Sequence, residues 1–143
     1  MANLMRGLVL ATSLVVALLA IAAGAEEAKP SAEARALISR QLDAFARDDA
    51  PAAYALAAPD IKTKFADADD FMTMVRTQYA PVYRHRSIDF GDAQLDGDAI
   101  TITATIVDGG NQVWTALYKL ARQPDGQWLI NGCMLVKSSE SAL

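Results

Sequence analysis

An α+β domain, with its helices gathered on one face of a four-stranded antiparallel sheet, is the fold class this sequence predicts. Three observations carry that reading. Apolar residues recur at helical spacing through the first half, as far as about Tyr79. Beyond Pro81 the period shortens to two, the alternation of a strand with one buried face. The strand-like runs are separated by Asp96-Gly97-Asp98, Asp108-Gly109-Gly110 and Pro124-Asp125-Gly126, links too short for anything but antiparallel neighbours. Helices first and strands after is the order of a segregated α+β domain.

The chain opens with a single cation, Arg6, then the uncharged run "LVLATSLVVALLAIAAGA", and Glu26-Glu27 restores polarity. A positive start, an apolar centre and the small triplet Ala23-Gly24-Ala25 form the pattern of a secretory signal peptide over residues 1–25. An uncleaved anchor is the alternative, since the run approaches bilayer-spanning length. Its last part is Ala and Gly rather than Leu and Val, which suits a peptidase better than lipid. The expectation is therefore an exported protein, periplasmic or secreted, with no membrane attachment after cleavage. Residues 26–30 read as a short linker, 31–137 as one domain and 138–143 as a C-terminal tail.

Ser31 is the expected N-cap of the first helix, in which Ala34, Leu37, Ile38, Leu42 and Phe45 share one side. Asp48-Asp49 ends it and caps the next, with Pro51 in the first turn, where its missing N–H is harmless. "PAAYALAA" is a short helix stopping at Pro59, and "PDIKTKF" is a Pro-initiated turn. Phe71, Met74, Val75 and Tyr79 make the stripe of a third helix. Asp67, Asp69 and Asp70 lack the alternating ligands and distal Glu of a calcium loop, and read as its N-terminal cap. Strands follow at Ile88–Leu95, Ala99–Val107, Val113–Arg122 and Trp128–Val136. The third, bulky on both faces, should lie inside the sheet. Ile100, Ile102, Ile106, Leu117, Trp128 and Ile130 are the expected core of the sheet, with Phe45, Phe71 and Val75 from the helices.

Composition excludes several classes. The formal charge is −4 over 143 residues, without a basic run, so no nucleic-acid surface is expected. One cysteine forbids an internal disulfide, and one histidine with one cysteine cannot build a zinc site without several carboxylates. No phosphate-cradling Gly loop, dinucleotide fingerprint or Gly-x-Ser-x-Gly elbow is present. No cofactor and no metal are expected.

The blocks "QLDAFARDDAPAAYALAAPDIKTKF", "FMTMVRTQYAPVYR" and "WTALYKLARQPDGQWLINGCML", in that order, resemble an exported bacterial domain-of-unknown-function family, number 4864. That family is similar to the α+β cone superfamily that includes ketosteroid isomerase and SnoaL-like proteins (a cystatin-like arrangement). The resemblance implies a curved sheet closing on the first helix and a ligand pocket. By superfamily analogy it also implies a homodimer formed through an exposed sheet face. It implies no reaction, because unrelated functions share that fold.

Chemical candidates are few. His85, between Arg84 and Arg86, has no orienting carboxylate identifiable in the sequence. Arg84 and Arg86, with Tyr79 and Tyr83, are the residues that could line the rim of a pocket for an anion, since a guanidinium fork suits carboxylate or phosphate. Pairing with surface carboxylates is their structural alternative. Cys133, within "WLINGCMLV", reads as a buried, inert thiol. An isomerase of the ketosteroid type would need a carboxylate and a Tyr converging in an apolar cavity. Asp43 and Tyr54, Tyr79 or Tyr118 are the available residues. The expectation is a non-catalytic module that binds a small apolar or anionic molecule, or another envelope protein. A cofactor-independent enzyme of the isomerase or hydratase kind is the alternative, and no catalytic residue is assigned.

Overall fold

The computed structural model describes residues 12–142, with side chains from Ala28 to Glu140 and at Ala142. Five helices precede four strands: α1 Thr12–Ala46, α2 Ala50–Ala55, α3 Pro59–Lys62, α4 Ala68–Gln78, α5 Ala80–Tyr83, β1 His85–Asp96, β2 Ala99–Asp108, β3 Gln112–Arg122 and β4 Trp128–Ser141. The sheet is an antiparallel meander in the order β1-β2-β3-β4, so the α+β class and the internal place of β3 are as expected.

The first helix differs from the expectation at its start. α1 is continuous through Pro30, so Ser31 lies inside it rather than at an N-cap, and residues 26–30 are helical rather than a linker. Ala and Glu on both sides of Pro30 are strong helix formers, and the proline removes only one hydrogen bond. Lys29 and Glu33 pair across it at 3.9 Å. The expected signal peptide begins in residues 1–11, which lie outside the described residues. Among the described residues no helix is long and apolar enough to cross a membrane.

α1 ends in a Schellman motif. The amide of Asp49 donates to the Ala44 carbonyl at 2.9 Å and that of Asp48 to Phe45 at 3.1 Å. Asp48 takes the left-handed conformation this closure demands, with φ 54°. Asp49 then accepts from the Ala52 amide at 3.1 Å as the cap of α2. At α4, Asp67 accepts from the Asp70 amide at 2.9 Å while Asp70 accepts from Ala66 at 3.2 Å. The acidic cluster thus caps α4 reciprocally.

The inner sheet face presents Ile100, Ile102, Ala104 and Ile106 from β2 and Ala116, Tyr118 and Leu120 from β3, all buried. α1 covers it with Leu37, Ile38, Leu42 and Phe45, and α4 adds Phe71, Met72 and Val75. Trp128 and Ile130 are also buried, as expected. Leu117 is not: it pairs with Thr103 and Met134 on the opposite face, and is only half-buried. The period of two makes the reason plain, since Ala116 and Tyr118 take the core side and their neighbour cannot. That outer face carries Thr101, Thr103 and Thr105 beside the exposed Met134 and Val136.

Two irregularities shape the edges. β1 bulges between Phe90 and Ala93, where Gly91 lies so close to β2 that a Cβ would meet Thr103 Oγ1 at 2.6 Å. β4 bulges at Asn131, and its free edge just before that point is taken by the segment after α2: Ala58 donates to Ile130 at 2.8 Å and Ile130 donates to Leu56 at 2.9 Å. β4 also continues past Val136 to Ser141, so residues 138–141, expected as a tail, belong to the sheet. Gln112 Nε2 ties that end to the Ser138 carbonyl at 2.8 Å.

Candidate functional site

Packing helices on a sheet leaves space wherever they diverge, and here they diverge at the β4 side. A cavity of about 420 Å³ opens there, within the roughly 300–1,000 Å³ range of small-molecule sites. Its walls are Phe45 from α1, Phe71, Met74 and Val75 from α4, Ile61 and Phe65 from the α3 region, and Ile130 from β4. Phe45, Tyr54 and Phe65 pack around Phe71 with ring centroids 5.4–6.2 Å away. These contacts hold the apolar wall in one arrangement.

Polar groups sit at two depths. Gln41, on the buried stripe of α1 and 5% exposed, donates from Nε2 to the Ala53 carbonyl at 3.1 Å. Its Oε1 takes no hydrogen bond among the described residues and remains an acceptor on the cavity wall. Tyr118 and Cys133 face each other across β3 and β4 and complete the inner wall. Burial pushes the Tyr118 hydroxyl well above its ordinary pKa and the Cys133 thiol to about 12. Both stay protonated at neutral pH. Nearer solvent, Lys64, Gln78, Tyr79 and Asn131 line the opening.

Among the described residues, no carboxylate lines the cavity. Asp43, the carboxylate on α1 that an isomerase reading would use, is exposed while its neighbours Leu42 and Ala44 are buried. Tyr54 is occupied by a hydrogen bond from its hydroxyl to the Lys62 carbonyl at 3.1 Å.

The four expected rim residues are dispersed. Tyr79 lines the cavity. Tyr83 and Arg84 instead close the end of α1: the Tyr83 hydroxyl donates to Asp48 Oδ1, and Arg84 Nη2 donates to Asp48 Oδ2 at 2.8 Å. Arg84 Nη1 caps the Phe45 carbonyl at 2.8 Å, and its guanidinium lies 3.8 Å from the centre of the Tyr83 ring. Arg76 completes the cluster at 3.5 Å from Asp48. The Tyr83 hydrogen bond, with Arg84 and Arg76 behind it, holds the Asp48 carboxyl below its ordinary pKa. Arg86 pairs with Asn111 in the β2–β3 turn. His85 is half-buried at the start of β1, and its Nδ1 has no hydrogen-bond partner among the described residues.

Sequence reasoning missed Gln41, Lys64 and Asn131. Gln41 carried a signal, being a polar residue between Leu37 and Phe45 on an apolar stripe at four-residue spacing. Lys64 and Asn131 carried none, because the turn and the bulge that place them depend on tertiary pairing.

The family model described as Domain of unknown function (DUF4864) matches residues 27–143. The chain belongs to that family, in agreement with the resemblance of its three sequence blocks. A comparison with curated proteins finds no match.

Proposed function

We propose that this chain is a non-catalytic binding module that encloses one small, largely apolar molecule between α1, α4 and the inner sheet face. The observation that supports the reading is the composition of the cavity: aromatic and aliphatic walls, neutral hydrogen-bonding groups within, and no carboxylate among the described residues. Acid–base chemistry of the isomerase kind needs a base poised near the working pH. Tyr118 and Cys133, the ionisable groups of the inner wall, are both shifted away from that range. The module acts outside the cytoplasm in this reading, which the apolar run before Glu26 supports. Intact-mass analysis of envelope and culture medium should find a chain beginning near Glu26, and one retaining Met1 would return the anchor reading.

1-Decanol is a suitable neutral probe of the cavity. Calorimetric titration should give one site per chain. Met74→Trp places an indole at the cavity wall and should weaken binding by at least about tenfold, since a filled site costs the ligand its apolar burial. Equal affinity in both proteins, or no saturable binding to the wild type, would refute the reading.

A further inference from the structure

The cavity's opening is built for a charge. Among the described residues that line it, Lys64 is the only charged side chain, and it forms no ion pair or ring contact with any of the described residues. The cation-rich cluster elsewhere is arranged differently, since Arg76 and Arg84 both pair with the one carboxylate of Asp48. The side chains of Gln78, Tyr79 and Asn131 likewise make no hydrogen bond among the described residues, so a cation and three neutral donors share one opening without protein partners. The acidic residues flanking Lys64 in the chain, Asp60, Asp67, Asp69 and Asp70, form no ion pair with it among the described residues, and none of them lines the cavity.

We propose that the ligand is a singly anionic amphiphile, with its carboxylate at Lys64 and its apolar body against Phe65, Phe71, Met74 and Ile130. The assignment rests on the binding reading above and adds the chemistry of the head group. Exposure orders the ligand along the cavity: Lys64 and Gln78 are exposed, whereas Tyr118 and Gln41 are buried, so the head group faces solvent and the tail points inward. A charged head at the rim keeps most of its hydration, and a charge-assisted hydrogen bond there still adds selectivity. Burying the carboxylate at Tyr118 would instead strip it of water without a cation beside it.

Decanoate and 1-decanol share a tail and differ in the head, so their affinity ratio isolates this claim. On the wild type, decanoate should bind about fivefold or more tightly than decanol, in keeping with a half-solvated charge pair. Lys64→Met should bring the ratio near one, and Lys64→Arg should restore the preference. Equal affinities on the wild type, or a preference that survives in Lys64→Met, would overturn the head-group assignment and leave the cavity reading standing. If decanol also fails to bind, both fall together.

Discussion

Replacing Trp128 by alanine should lower the free energy of unfolding by about 3–5 kcal/mol, the range for truncating a buried aromatic. Trp128 is 5% exposed and begins β4 opposite Arg122, whose guanidinium lies 4.8 Å from the ring centre. Truncation removes the ring from the core and leaves a hole that the surrounding sheet can close only in part. It also strips Arg122 of its platform, a contribution of about 0.5–1 kcal/mol where the cation is exposed. The control is Leu117→Ala, on the other face of β3, which should cost less than about 1.5 kcal/mol because little apolar surface leaves the core. Urea unfolding midpoints measured on both variants test the register of the sheet. A large loss at Leu117 with a small one at Trp128 would mean that the strands are paired one residue out of step, since such a slip exchanges the faces.

Raising the pH above 9 should weaken the fold steadily. The Cys133 thiol has an ordinary pKa of 9.0 and is pushed by burial to about 12, and Tyr118 beside it is raised in the same direction. Between those pH values the unfolded chain has released the Cys133 proton while the folded chain retains it. The unfolded state therefore binds fewer protons, and stability falls as pH rises, by about 1.4 kcal/mol per unit from this group alone. Below pH 9 both states hold the proton and the dependence vanishes. Urea titrations from pH 8 to 11 on the wild type and Cys133→Ala should diverge in slope, the variant losing less per unit. Parallel slopes would show that the thiol is not held in a desolvated wall.

The strands were readable because two independent signals agreed. A period of two located Ile100, Ile102 and Ile106 on one face, and the Gly-containing turns located the ends of the strands. Leu117 was misplaced by bulk: in "VWTALYKL" large side chains occur on both faces, so alternation no longer says which side is inner. The third helix and its acidic cap were equally legible, since Asp67 and Phe71 need only local geometry. The cavity was not, because its volume is a gap between α4 and β4 that no run of residues encodes. Arg84 shows the same limit. Its neighbours Tyr83 and His85 suggested a rim, but its role is set by Asp48, which lies in a left-handed conformation 36 residues earlier at the end of α1. Pairing over such a distance leaves no trace in spacing.

The breaks in the outer strands bear on how this molecule meets others. β1 loses register twice, after His85 and after Phe90, and Arg35 occupies the Gly91 carbonyl at 3.0 Å. β4 is broken at Asn131 and again after Lys137, with Leu56 to Ala58 seated against Ile130. An extended peptide seeking to lengthen the sheet would find neither margin straight for more than a short run, and amyloid-like stacking needs straight margins. Self-assembly by backbone templating is thereby obstructed at both ends of the meander. Backbone pairing with another chain is left to short runs of either margin.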